Sequence, residues 1–263
     1  MKFEGIPDLK GLRVAALADM HGNIQALNAV LEEVEREQVD RIVVCGDVAT
    51  GPFPSDTIAR LMELSDQAHF IRGNADRELV SAYDSRLPFN PAEENPARFF
   101  SSWSAQQIDQ SQRNFLASFE ERVVLEVLGL GRVLFCHGSP YSDEQIITML
   151  TPEERLEKIL TGVSEKVVVC GHTHHQFDRQ AAGYRVINAG SIGMPYEGRA
   201  GAYWALLGPE VNLRRTEYDF ERAVEQALSA GYPDASYRET LLTPPKPDQV
   251  AAFFEQAAAG RGA

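Results

Sequence analysis

A layered α/β fold built on parallel strand pairing is the class that this 263-residue sequence predicts. Three observations carry the prediction. Short apolar runs recur along the chain and close on Asp, Gly, Asn, His or Ser: RVAALAD (13–19), RIVVCGD (41–47), HFIRGN (69–74), RVLFCHG (132–138), KVVVCGH (166–172) and YRVINAGS (184–191). Their apolar character is near-continuous, as in strands buried on both faces. Between the first two lies IQALNAVLEEVERE, with Ile24, Leu27, Leu31 and Val34 at helical spacing, so the unit reads as βαβ.

The remaining elements follow in order. SDTIARLMEL (55–64) reads as a second crossover helix. The stretch 84–119 differs in character: DSRLPFNPAEENPARFFSSW holds three prolines and four aromatics. Ser104 followed by Gln107 has the form of a capping box, and Trp103 with Ile108 that of a hydrophobic staple. A helix over about 105–119 is expected, with Ile108, Phe115 and Phe119 on one stripe. This stretch is expected to be a helical cap insertion, its aromatics forming either a small local core or a lid over substrate. Thr151-Pro152-Glu153-Glu154 opens a further helix, with Pro at N1 and Glu at N3. YWALL and VNLRRTEY, from Tyr203 onward, suggest a closing hairpin. The tail from Asp219 is helical, with a Pro-rich break at TPPKP (243–247). No internal repeat or linker divides the chain, so one domain is expected over 1–263, with the cap at 84–119 and a C-terminal helical extension at 219–263.

The formal net charge is -13, the pI about 4.9 and the mean hydropathy -0.26. That balance argues against the broad basic footprint of a nucleic-acid binder. It leaves small phosphate compounds open, because metal ions supply local positive charge. The first residues, MKFEGIPDLKGLRVAALAD, contain acids and no long apolar run, so no signal peptide is expected, and no run reaches membrane-spanning length. The three cysteines, Cys45, Cys136 and Cys170, read as free thiols of a cytoplasmic protein.

Five of the six histidines lie in or beside strand-end motifs. The motifs are D-M-H (19–21), G-D (46–47), G-N-A-D (73–76), C-H-G-S-P (136–140) and G-H-T-H-H (171–175). In an open α/β sheet, ligands bind beyond the carboxyl ends of the strands, so the motifs are expected to converge in one cleft. Their His, Asp and Asn donors suit Mn, Fe, Co, Ni or Zn, and two such ions a few ångströms apart make a phosphoryl-transfer site.

This ordered set resembles the calcineurin-like metallophosphoesterase superfamily, and within it the small bacterial branch of predicted phosphoesterases. The resemblance covers roughly 12–215, and INAGSIGMP (187–195) resembles that branch's asparagine–glycine–serine loop. It implies a four-layer αββα sandwich of two mixed sheets flanked by helices. It also implies two divalent transition metal ions, with manganese favoured over iron, zinc, nickel or cobalt. Asp19 and His21 would bind the first ion with His174, Asp47 would bridge both, and Asn74, His137 and His172 would bind the second. A bridging hydroxide would then attack phosphorus in line, hydrolysing phosphomonoesters or phosphodiesters of small molecules.

Residue by residue, plainer readings stand beside these. Asp19 and Asp47 are also good helix N-caps, Asn74 is a good turn residue, and His137 or His172 can be a hydrogen-bonded core histidine. His175 matches no ligand position, and the cysteines read as small buried strand residues. Asp76 is either a catalytic group beside Asp47 or the cap of the helix it precedes. Arg72, Arg77 and Arg199 are candidate phosphate contacts. Two departures from the superfamily stand out. Ala75 occupies a position where many members carry a histidine held to protonate the leaving group. Thr50 stands where purple acid phosphatases carry a tyrosine ligand. The rival readings are a nuclease, disfavoured by the acidic composition, and a metal-binding scaffold without catalysis like the retromer subunit that resembles this fold.

Overall fold

The computed structural model describes residues 11–260, so the ends of the expected domain at 1–10 and 261–263 lie outside the described residues. The chain runs β1 (Val14–Leu17), α1 (Ile24–Arg36), β2 (Arg41–Val44), α2 (Pro54–Met62), β3 (Ala68–Phe70) and α3 (Asn74–Asp84). It continues with α4 (Pro96–Ala105), α5 (Gln110–Ala117), β4 (Arg122–Val127), β5 (Gly131–Cys136), α6 (Glu153–Ile159) and β6 (Val167–Cys170). Then come β7 (Phe177–Ala181), β8 (Tyr184–Asn188), β9 (Ala202–Leu207), β10 (Val211–Thr216), α7 (Phe220–Ser229), α8 (Tyr237–Leu242) and α9 (Pro247–Gly260).

The strands form two five-stranded mixed sheets, ordered β10-β9-β1-β2-β3 and β4-β5-β6-β8-β7. Parallel pairs lie at the heart of each. Ala15 faces Ile42 and Val43 faces His69 in the first, and Leu134 faces Val168 in the second. The near-continuous apolar runs have a direct cause. In β1, Val14 and Ala16 point into the core between the sheets, with Val43, Phe135, Val169 and Ile187. Ala15 and Leu17 point the other way, onto Leu27, Leu31, Ile58 and Leu61 of α1 and α2. On the far side, Val168 and Val186 meet Leu156 and Ile159 of α6. Each large side chain so buried contributes roughly 1.5–3 kcal/mol, and only a layered arrangement buries both faces of one strand. The αββα sandwich expected from the sequence is the fold observed.

β4 and β7 were not anticipated. Both are edge strands, at the two ends of the second sheet. Their burial alternates (Val123 buried, Val124 exposed), so they lack the continuous apolar signature of the central strands. The insertion also differs from expectation. The helix expected over about 105–119 is α5, which begins only at Gln110, and a further helix that the sequence does not announce, α4, precedes it and ends at Ala105. The capping box belongs to Asp109 and Gln112 rather than to Ser104 and Gln107. Ser104 lies in the last turn of α4, where its buried hydroxyl accepts the Gly51 N–H at 3.2 Å. Trp103 packs with Tyr232 in a cluster shared with α7 and α8, so it staples nothing. Among the described residues no helix is long and apolar enough to cross a membrane.

Candidate metal centre

The parallel strands β1, β2, β5 and β6 deliver their carboxyl ends to one edge of the sandwich, and the expected motifs meet there. Two groups form. One joins Asp19, His21, Asp47 and His174, and the other joins Asp47, His137 and His172; within each, one donor atom per residue lies within 4.8 Å of the others. Asn74 adds its Oδ1, 3.2 Å from His137 Nε2. Asp47 is common to both groups. Its Oδ2 lies 3.4 Å from His137 Nε2 and 3.9 Å from His21 Nε2.

The backbone bends hard to achieve this. Asp19, His21, Asp47, His172 and His174 all have positive φ, between 45° and 68°. Asp and His tolerate that left-handed region better than most residues. Five such residues at one place store strain, typically of order 1–3 kcal/mol each. The loops are tied by backbone hydrogen bonds, with Asp19 N–H donating to Gly46 O and His21 N–H to Asp47 O, both at 3.0 Å. Gly73 is required here for space. A Cβ on it would lie 2.1 Å from Asp47 Oδ1.

Outer partners aim three of the four imidazoles. His21 Nδ1 meets Thr50 O at 3.2 Å, His137 Nδ1 meets Cys45 O at 2.7 Å, and His174 Nδ1 meets Met194 O at 2.8 Å. A carbonyl only accepts, so each of these Nδ1 atoms carries a proton and each Nε2 is the atom turned inward, as metal-binding histidines are held. His21 Nε2 and His174 Nε2 then face each other 3.1 Å apart. Asp19 Oδ1, 3.3 Å from His174 Nε2, is buried with no hydrogen-bond partner. Two lone pairs and a bare carboxylate oxygen converging in a dry site are unfavourable unless a positive charge sits among them. The residues present therefore fit a cation.

The electrostatics agree. Burial pushes His21 down, and the neighbouring His174 adds to it. Burial and then His137 push His172 down to about 4. Both rings are thus neutral and able to ligate near pH 7. Burial opposes charge on His137, but Asp47 outweighs it and lifts the ring to about 10. Burial would likewise raise Asp47, and the His137 charge reverses this and holds its carboxyl below the usual range.

Asp76 needs correction as a catalytic group. It is fully buried, its Oδ2 accepting the N–H groups of Asp47 and Gly73 and its Oδ1 that of Val48, each at 2.9 Å. Burial and Asp47 push its carboxyl up to about 7, while these amides pull the other way. Both oxygens are committed to holding the Asp47 loop and capping α3, the capping role of the two that the sequence leaves open. Ala75 donates its N–H to Asp47 Oδ1 at 2.8 Å and accepts from Thr50 Oγ1 at 3.2 Å. His175 turns away and is buried beside Phe177, its ring 5.5 Å from the phenyl. The three cysteines are buried in the strand cores, where burial pushes their thiols up, Cys170 to about 12. Of the arginines, Arg77 is paired with Asp143 and Glu144, and Arg199 with Glu217. Arg72 lines a cleft of about 160 Å³ that also touches His137.

Several supporting residues gave little signal in the sequence. Ser191 Oγ and Gly193 N–H both donate to Asp19 O, at 2.7 and 3.0 Å, which gives the INAGS loop its role. Asn188 holds Gly171 O at 2.6 Å. Tyr196 stacks on His174 with centroids 4.8 Å apart. Its neighbour Glu197 accepts the Gln176 N–H, and burial raises its carboxyl to about 7. Folding therefore favours the protonated form. The stability it contributes is complete below the unfolded value near 4.5 and is lost as pH rises through 7. Glu197→Gln is expected to match the wild type at pH 5 and to exceed it by about 1–2 kcal/mol at pH 8, allowing for partial exposure. Urea denaturation of the metal-free chain at both pH values measures this, and an unchanged difference between them contradicts it.

Comparison with known proteins bears on the same residues. A family model described as the calcineurin-like phosphoesterase superfamily domain matches residues 12–208. The protein MJ0912 of Methanocaldococcus jannaschii is 24% identical over 240 residues, covering 84% of this chain and 94% of that protein. The metallophosphoesterase of Sphaerobacter thermophilus superposes with a TM-score of 0.69 at 25% identity, covering 88% of this chain and 98% of that one. The protein PH1004 of Pyrococcus horikoshii OT3 shares the fold, with a TM-score of 0.75 at 20% identity over 89% of this chain and 99% of that one.

Proposed function

The chain belongs to the calcineurin-like phosphoesterase superfamily, and from that premise we propose that it hydrolyses phosphate esters of small molecules at a centre of two divalent metal ions. The observation that carries this reading is Asp47 Oδ2, which faces both donor groups. A carboxylate shared in this way defines two cation positions a few ångströms apart. Asp19, His21 and His174 complete the first, and Asn74, His137 and His172 the second. The donor set, imidazole with hard oxygens, suits Mn, Fe, Co, Ni or Zn, and the resemblance to the family favours manganese among them. Two ions held there supply positive charge against the phosphoryl oxygens and acidify water into a nucleophile near neutral pH.

The chain's own contribution is positioning. The Ala75 N–H fixes one oxygen of Asp47 and leaves the other for the ions. The carbonyls of Thr50, Cys45 and Met194 hold three imidazoles in the ligating tautomer. The acidic balance of the chain, with net charge -13, favours a small ester over a polynucleotide. The test is to load the purified chain with manganese, iron, cobalt, nickel or zinc in turn and assay phosphomonoesters and phosphodiesters. Hydrolysis in at least one metal form is expected, and a metal-replete chain inert to every ester overturns the reading.

Ala75 adds a mechanistic expectation. Its methyl group offers no proton where many family members place an imidazole, and Asp76 is committed to backbone amides. Positioned general acids contribute typically 10²–10⁴-fold, and most of that falls on poor leaving groups. Aryl esters such as p-nitrophenyl phosphate are therefore expected to be cleaved far faster than alkyl esters, with a steep dependence of kcat/KM on leaving-group pKa. A flat series with chemistry rate-limiting means that another residue is the acid.

A further inference from the structure

The family match ends at residue 208, but the chain returns to the metal centre afterwards. α9 is anchored just before its start and again near its middle, on loops that follow strands of the second sheet. Upstream of it, Pro245 O accepts the Gly198 N–H at 2.8 Å, on the loop that also supplies Met194 O to His174. Along the helix, Val250 and Ala251 form the buried face. One turn further, Glu255 accepts from Thr148 Oγ1 at 2.7 Å, Thr151 Oγ1 at 2.8 Å and Arg155 Nη2 at 2.7 Å. Both threonines are fully buried. Three donors on one carboxylate, two of them buried hydroxyls, make a specific latch rather than a loose surface pair.

The latched helix stands Phe254 beside His172, their ring centroids 6.5 Å apart and tilted by 40°. Both residues are half-buried. A flat apolar ring held at the rim of a charged, polar centre is costly to leave wet and has no ligating role. Resting on the proposed activity, we infer that Phe254 is a specificity-determining residue that packs against a planar aromatic group carried by the substrate's phosphate, with Glu255 as the positioning residue that holds α9 in place.

The test is calorimetric binding of phosphonates, which are not hydrolysed, to the manganese-loaded chain. Phe254→Ala is expected to weaken phenylphosphonate roughly fivefold to tenfold, the usual strength of an aromatic contact, and to leave methylphosphonate unchanged. The phosphonate analogue of adenosine 5′-monophosphate, with a methylene in place of the ester oxygen, separates the two sources of such a ring. Equal weakening places a nucleobase on Phe254, and weakening of phenylphosphonate alone places there the ring of an aryl group joined to the phosphate through its ester oxygen. Glu255→Gln, which keeps the shape and removes the charge, is expected to reproduce the loss of selectivity and to speed amide hydrogen exchange along α9. Phenylphosphonate affinity unchanged in Phe254→Ala overturns the inference, and so does an equal loss for both phosphonates, which would mean disturbance of the metal centre. Failure of the activity itself is read separately, from wild-type hydrolysis of p-nitrophenyl phosphate.

Discussion

Asp47→Asn is expected to purify with neither ion fully retained and to lower kcat/KM by roughly 10³-fold or more, the several kcal/mol that metal-held charge supplies. The size of the effect follows from the placement of the two oxygens. Oδ1 is taken by the Ala75 N–H, and Oδ2 faces both donor groups. An amide cannot serve both sides. If its oxygen stays on Ala75, the NH₂ points at the cation positions. If it flips, the NH₂ meets the Ala75 N–H. Either orientation also removes the one negative charge the two positions share. Loss at any other ligand leaves one group intact, so Asp47→Asn should release more metal than any other single ligand change. Metal content by mass spectrometry, alongside initial rates, decides it. Two ions per chain with full activity in this variant would sink the ligand assignment.

Asp76→Ala should be the most destabilising change near the site, by about 3–5 kcal/mol, because it leaves three buried N–H groups without acceptors. For a chain of this size that corresponds to roughly 10 °C in Tm. Asp76→Asn should fall in between. An amide oxygen at the Oδ2 position keeps the Asp47 and Gly73 bonds, and its NH₂ then opposes the Val48 N–H. The gradation separates this role from that of a general acid. An acid would lose rate equally in both variants, most for poor leaving groups, and would leave Tm largely untouched. Thermal unfolding of the metal-free variants gives the answer, and an unchanged Tm for Asp76→Ala would return Asp76 to the list of candidate acids.

The central strands were legible because both their faces are buried, and burial on both faces writes itself as an unbroken apolar run. The edge strands β4 and β7 were not, because one face is wet and their pattern fades into that of a loop. The converging ligands were legible because histidine is a rare way to end a strand, and five of six histidines stood at such ends. Asp76 was ambiguous for a physical reason: the residue type that caps a helix is the same one that transfers a proton, and only its three amide partners decide between them. The start of α5 was misplaced by five residues because Ser104, which has the pattern of its cap, spends its hydroxyl on Gly51, fifty-three positions away in sequence, a demand that no local pattern announces. Phe254 and Glu255 gave no signal either, since their partners are brought to them by the fold alone.

The spacing of the donors also sets an order in time. His21 meets His174, and the Asp19 carboxylate meets the His172 amide, each across 153 residues. No shorter nascent segment contains even the first donor group, and at about 5–20 residues per second a ribosome needs roughly 8–30 s to travel from one member to the other. During that interval Asp19, His21 and Asp47 emerge without the second sheet that completes their geometry. Contacts of such long range form late, after closer ones have reduced the loop that must be closed. An ion bound as proposed is accordingly expected to meet two finished sheets rather than a folding chain, and to close the assembly of this protein instead of starting it.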